Sequence, residues 1–250
     1  MKFFGILLSF LLFSACEKAS DTKQNNTDDS TLNIAVSSDY PPYIYNKNGK
    51  LEGFEIEIIN AVAKKLNKKI HFHDIAFEGI LKTVEQRQVD GAIAAIGKNL
   101  VREKYADFTI PYHRSMTVVV VPFATSIKNL EDLSGKIVGI EAGTTYEHDI
   151  KNNFKDTQVI TRTKFSELLA ALLEGKCHAI ATGVSEAYEL QSNNPNLKIM
   201  PIEGTITDFS IALPKGSPLL STINEILEEM IKNGDLYTLE KQFFKKVVKE

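Results

Sequence analysis

Apolar residues recur along this chain at two different periods. Across residues 54–66 they fall at Phe54, Ile58, Ile59, Val62, Ala63 and Leu66, the three-and-four spacing of a helix with one buried face. Short β-prone runs flank it, at residues 32–36 before it and 70–75 after it. The first is separated from the helix by turns around Tyr40-Pro41-Pro42 and Asn48-Gly49. A helix over 78–86 follows, then a run over 89–96 that is apolar on both faces and so predicts a central, buried strand. The alternation continues with strands at 116–121, 136–140, 158–160 and 177–182 and helices at 146–153, 166–174 and 185–191. A strand at 209–213 leads into a helical end. There Pro218 stands near one helix start, Gly234 closes that helix and Asp235 is placed to cap the next. Strands separated by helices predict an α/β fold with mostly parallel sheets, here in two successive units.

The amino terminus follows neither period. Met1-Lys2 is followed by a nearly unbroken apolar run over residues 3–13 and then by Ser14-Ala15-Cys16. A basic start, a short apolar stretch and small residues before a break have the form of a secretory signal, and the run is shorter than the ~20 residues a spanning helix needs. Small residues directly before a cysteine resemble a bacterial lipobox, although Phe13 stands where Leu is usual. The expectation is a signal over 1–15, lipidation of Cys16, and attachment to a membrane by that lipid. Residues 17–30 hold Ala19 as their one apolar residue, so a flexible tether is expected over 16–30, spanning about 20 Å. No second apolar segment approaches spanning length.

Composition narrows the remainder. The chain has 250 residues, 43% of them hydrophobic and 24% charged, which is ordinary globular composition with room for two modest domains. Its formal charge is −3, and removal of Lys2 with the signal makes it −4; neither suits a nucleic-acid partner, which calls for a basic surface. Two cysteines make no disulfide framework. With Cys16 lipidated, Cys177 reads as a small buried hydrophobe.

Ligands of open parallel sheets sit beyond the carboxyl ends of the strands. Those positions hold Asp39-Tyr40-Pro41-Pro42-Tyr43, Phe77-Glu78, Ala94-Ala95-Ile96-Gly97 with Arg102 beyond, and Glu141-Ala142-Gly143-Thr144-Thr145. Aromatic faces hold apolar or cationic groups, Arg grips a carboxylate bidentately, and amides at a helix start favour an anion. This set suits a small zwitterion. Each residue also has a plainer reading: Tyr40 and Phe77 as core aromatics, Arg102 as a surface ion pair with Glu103 or Asp107, Thr144 and Thr145 as helix caps.

The ordered series Asp39-Tyr40-Pro41-Pro42-Tyr43, Gly53-Phe54-Glu55, Phe77-Glu78-Gly79, Val89-Asp90-Gly91-Ala92-Ile93, Arg102-Glu103-Lys104, Asp107-Phe108 and Pro111-Tyr112, continued by Gly143-Thr144-Thr145, Gly175-Lys176 and Gly234-Asp235-Leu236-Tyr237, resembles the family 3 bacterial extracellular solute-binding proteins over roughly residues 31 to 246. These are the periplasmic binding components of polar amino acid ABC transporters. The resemblance implies a two-lobed periplasmic-binding-protein fold of type II, with residues 31–112 plus 208–250 in lobe 1 and 113–207 in lobe 2. The crossovers fall near 111–115 and 205–208, and the last helices return to lobe 1. It also implies a monomer without cofactor or metal, a small amino acid ligand and a permease in the inner membrane as partner.

On the same basis the ligand lies between Tyr40 and Phe77. Its carboxylate is met by Arg102, by groups near Ala94, Ala95 and Gly97, and by Thr144 and Thr145. Two departures stand out. A usual hydroxyl residue is Gly97 here, and the usual Asp that pairs with the ligand ammonium aligns with Gly183. A desolvated ammonium without a counter-charge costs several kcal/mol, so either Glu141, Glu186, Asp39 or Asp208 substitutes or the ligand is no standard α-amino acid. Glu141 and Asp208 are carried forward as site residues, and the acid-rich rim suggests a basic ligand such as arginine.

Other chemistry finds little support. His71 and His73 share a strand face but lack a third ligand, and no phosphate loop or nucleophile elbow is present. A dehydratase of prephenate-type acids, working in the same cleft with Glu141 or Glu186 as proton donor, is the one enzymatic alternative.

Overall fold

The computed structural model describes residues 30–244. The signal, Cys16 and all of the tether except Ser30 lie outside the described residues. Among the described residues, no helix is long and apolar enough to cross a membrane.

Two five-stranded sheets form the centres of two lobes. The first contains β1 (Thr31–Val36), β5 (Lys69–Asp74), β6 (Gly91–Ala92), β7 (Ala106–Phe108) and β13 (Ala212–Pro214), in the order β5-β1-β6-β13-β7. The second contains β8 (His113–Pro122), β9 (Ile137–Glu141), β10 (Gln158–Arg162), β11 (Ala179–Gly183) and β12 (Leu197–Phe209), in the order β10-β9-β11-β8-β12. Each sheet is parallel except for one strand, β13 in the first and β8 in the second. Both exceptions are the strands by which the chain enters a sheet after crossing from the other.

The chain crosses at residues 109–112 and again at 210–211, and the crossings are bonded to each other. Thr109 N donates to Ile211 O at 3.0 Å, Ile211 N to Thr109 Oγ1 at 3.0 Å, and Tyr112 N to Phe209 O at 2.9 Å. Two short connections tied together in this way form a hinge. A small meander, β2 (Asp39–Tyr40), β3 (Ile44–Lys47) and β4 (Lys50–Glu52), occupies the segment around the expected turns at Tyr40-Pro41-Pro42 and Asn48-Gly49.

Helix α1 (Phe54–Lys65) buries Phe54, Ile58, Ile59, Val62 and Ala63, the face its spacing predicts. Helices α2 (Phe77–Glu85), α3 (Tyr146–Asn153), α4 (Ser166–Leu173) and α5 (Val184–Asn193) lie within about two residues of their predicted spans. The terminal helices α6 (Leu219–Asn233) and α7 (Asp235–Phe243) return to α1, where Lys65 Nζ meets Glu229 Oε1 at 2.7 Å and the Phe244 ring packs 4.8 Å from that of Phe54. Gly234, in the left-handed region at φ 77°, ends α6; Asp235 makes no cap but opens α7 as its first residue.

Candidate functional site

The cleft between the lobes encloses about 480 Å³ of empty space, open solvent at its mouth included. Lobe 1 contributes Tyr40, Phe77, Ala94, Ala95, Gly97 and Arg102, and the second sheet with α3 contributes Glu141, Thr144, Thr145, Tyr146, Ser115 and Thr207. Nine of the ten ligand-contacting residues expected from the sequence thus share one cavity. Asp208 does not join them: it faces a neighbouring groove, and both of its oxygens are taken by Arg114, at 2.6 and 3.1 Å.

The walls are already in contact. Tyr40 Oη lies 2.6 Å from Tyr146 Oη across the cleft, and Tyr43 Oη donates to Ser185 Oγ at 3.3 Å. Ser166 N, the first residue of α4, donates to the lobe 1 carboxylate Asp39 Oδ2 at 2.8 Å. Tyr40 is also a core residue, with its ring edge-on to Phe165. The plainer reading therefore holds for it alongside the cleft position.

Arg102 is 8% exposed, and among the described residues no carboxylate is in ion-pair range of it. The acids nearest to it in sequence are engaged elsewhere, Glu103 with Lys98 at 3.1 Å and Asp107 with Lys215 at 2.8 Å. Its guanidinium lies 5.5 Å from the Phe77 ring centroid, Nη1 donates to Gly97 O at 2.7 Å, and Nη2 reaches across to Gly143 O at 2.9 Å. Burial lowers its pKa to about 10. A desolvated cation satisfied only by carbonyls is a receptor for an anion. Thr144 Oγ1 donates to Glu141 O at 2.7 Å, while Thr145 precedes α3 without capping it with its hydroxyl, which leaves that group for the cavity it lines.

Three carboxyl groups are buried around the same space. Glu141 lies at the end of β9, its pKa pushed up to about 8 by burial and by Asp39. Glu55 on α1 accepts from Ala95 N at 2.7 Å and from Tyr112 Oη, and burial holds its pKa at about 7. Glu186, in the first turn of α5, has no exposed surface and no partner for either oxygen. Burial keeps it well above the usual carboxylate range.

At both Gly97 and Gly183 a neighbouring side chain stands where a Cβ would go. One on Gly97 would lie 2.4 Å from Thr207 Cγ2, so the hydroxyl missing at that position has no room to exist here. One on Gly183 would lie 2.3 Å from Glu186 Oε2 and 3.1 Å from Ser115 Oγ. Ser115, Thr207 and Tyr146 were not expected from the sequence. Tyr146 directly follows the threonine pair and was within reach of the strand-end rule; Ser115 and Thr207 pair with each other on the β8–β12 ladder, where that rule does not look. The His71 and His73 rings are 4.7 Å apart with His73 bonded to Asn33, and among the described residues no group of three or more His, Cys, Asp or Glu could hold a metal ion. Cys177 is buried in the core.

Comparison with known proteins identifies the family and the fold. The arginine-binding extracellular protein ArtP of Bacillus subtilis (strain 168) is 26% identical over 244 residues, 96% of either chain. The L-cystine-binding protein TcyJ of Escherichia coli (strain K12) is 30% identical over 223 residues, 86% of this chain and 82% of that one. An ancestral arginine-binding protein solved with arginine bound has a TM-score of 0.81 at 35% identity, over 86% of this chain and 98% of its own. The fold is the two-lobed one of periplasmic binding proteins. Residues 32–246 match the family model for bacterial extracellular solute-binding proteins, family 3, and the chain belongs to that family. Family and relatives alike are solute-binding proteins, and the dehydratase alternative draws no support from them.

Proposed function

We propose that this member of the family 3 extracellular solute-binding proteins captures a basic amino acid, such as arginine, and delivers it to the permease of an ABC transporter. One observation carries the reading. The cleft buries a guanidinium with no anion beside it, Arg102, together with an acid on its lining, Glu141, and another behind it, Glu186, that have no cation beside them. A ligand with one carboxylate and two cationic groups matches that inventory group for group. Arg102 takes the carboxylate, aided by the Thr145 hydroxyl; Tyr40 and Phe77 flank the carbon chain; Glu141 receives the cationic side chain.

Binding begins on lobe 1 through Tyr40, Phe77 and Arg102. Lobe 2 then turns about the paired crossovers and brings up Glu141 and the threonines. The protein works outside the cytoplasm as a monomer, held to a membrane by a lipid on Cys16. A Cys16→Ala chain that still partitions with membranes would refute the anchor.

A thermal-shift screen of the twenty amino acids, cystine and polyamines tests the ligand class. Basic amino acids are expected to give the largest rise in melting temperature, and Arg102→Ala is expected to abolish it. Shifts unchanged in Arg102→Ala, or a wild type that responds only to polyamines, would overturn the reading.

A further inference from the structure

Glu186 is the least explained ionisable group among the described residues. It is wholly buried, both carboxyl oxygens lack a partner, and the nearby Ser115 Oγ is buried and unpartnered as well. Native interiors leave few such atoms, and each one asks for a reason. The Glu186 backbone amide and the Tyr40 hydroxyl lie close enough to favour the ionised carboxyl group, but neither makes a hydrogen bond to it, and Tyr40 Oη is engaged with Tyr146 Oη at 2.6 Å and Thr182 Oγ1 at 3.4 Å.

The reason lies in the neighbouring glycine. Glu186 Oε2 stands 2.3 Å from where a Cβ of residue 183 would be, about the separation of a carboxylate oxygen from the Cβ of its own aspartate. One carboxylate oxygen thus stands where an oxygen of a short acidic side chain at position 183 would be, with its carboxyl carbon further off at 3.2 Å, reached from one turn further along. The two arrangements exclude each other: with Glu186 there, only glycine fits at 183.

This place lies directly behind the cleft lining, which neither Gly183 nor Glu186 itself joins. Ser115 Oγ, 3.1 Å from the same point, belongs to a cleft-lining residue. Ser115 pairs with Thr207 across the β8–β12 ladder, Thr207 abuts Gly97, and the Gly97 carbonyl holds Arg102. Glu186 therefore stands behind the same wall on which Arg102 stands, linked to it by that chain of contacts, as the ammonium and carboxylate on a single carbon require. Glu141 lies beside Asp39, at the end of β9. We infer that Glu186, reaching through the space that Gly183 leaves open, is the anion that receives the α-ammonium of the ligand, with Ser115 Oγ as a second acceptor. An ammonium has three donors, and these two unpartnered groups supply acceptors for them. The inference rests on the amino acid reading of the cleft and assigns one of its contacts.

Calorimetric titration at pH 7.5 tests it with two pairs of compounds, L-arginine against 5-guanidinopentanoic acid and L-lysine against 6-aminohexanoic acid. The second of each pair lacks only the α-ammonium. Wild type is expected to prefer the amino acid. Glu186→Gln is expected to lose at least about thirtyfold in affinity for it, as removal of one partner of a buried charge pair does, with little change for the des-amino compound. The double variant Gly183→Asp/Glu186→Ala moves the acid to the vacated position and is expected to recover most of the loss, which separates the role from a folding defect. Equal affinity of wild type and Glu186→Gln for the amino acid, or an equal loss for both members of a pair, would overturn the role of Glu186 and leave the amino acid reading standing. A wild type that binds none of the four compounds would overturn the reading itself, and the role with it.

Discussion

Glu141 shows how a single buried carboxyl group links stability to ligand choice. Its pKa rises from the ordinary 4.5 to about 8, first through burial and then through Asp39. Glu186, Tyr40 and Tyr146 also lie within its electrostatic reach. Between those two values the folded protein holds a proton that the unfolded chain has lost. The stability that Glu141 contributes to the ligand-free protein therefore falls as pH rises across that window and is level above it. Glu141→Gln has no proton to lose, so it is expected to flatten that decline, by on the order of a few kcal/mol between about pH 5 and 8. Glu55, at about 7, keeps a smaller slope of its own. Urea unfolding at several pH values measures the difference, and identical slopes in wild type and variant would refute it. For a cationic ligand the sign reverses, because the ligand pairs with the ionised form: affinity for L-arginine is expected to climb as pH approaches about 8 and then level off, and to do so less in Glu141→Gln.

At the scale of elements, β12 approaches the loop after β6 closely, Lys98 N donating to Asp208 O at 3.1 Å, and a limit on how far the lobes close is expected there. Gly97 forms a bridge with Phe209 and faces Thr207 Cγ2 too closely for any side chain. Gly97→Ala is expected to weaken ligand binding about tenfold or more, as overpacking by one methyl does. Adding Thr207→Ser, which removes the offending methyl, is expected to restore it; a double variant no better than the single would show that the contact does not limit closure. The sequence showed these elements unevenly, for physical reasons. The α1 stripe was legible because packing on one side imposes its period. The run at residues 89–96 promised a long central strand, yet its ladder is only Gly91–Ala92. Ala95 N is taken by Glu55 rather than by a neighbouring strand, and Ala95 sits at φ 49°, so a buried side chain diverts the backbone into the cleft wall. β12 stayed hidden because Pro201 and an irregularity between Pro201 and Ile206 erase its alternation. Cleft residues at the ends of parallel strands were found by rule. Those on the hinge ladder needed the fold.

In the whole molecule, closure must stay reversible, so the contacts that hold the lobes together need to be few and weak enough to release. One of them lies apart from the residues that line the cleft: the Asp39 carboxylate accepts the amide of Ser166 at the start of α4, a charge set against the positive end of a helix. Such a contact exists only in the closed state and so acts on release rather than on first encounter. Asp39→Asn keeps the size and removes the charge. It is expected to leave the association rate for L-arginine near that of wild type and to raise the dissociation rate severalfold. Loss of the Asp39 charge also eases ionisation of the Glu141 carboxyl group, so the comparison belongs at pH 9, above its titration, where Glu141 is ionised in both proteins. Stopped-flow fluorescence separates the two rates, and small-angle scattering of the ligand-free proteins is expected to show Asp39→Asn at least as extended as wild type. A variant that binds more slowly but dissociates at the wild-type rate would place Asp39 in the encounter with ligand and not in the latch.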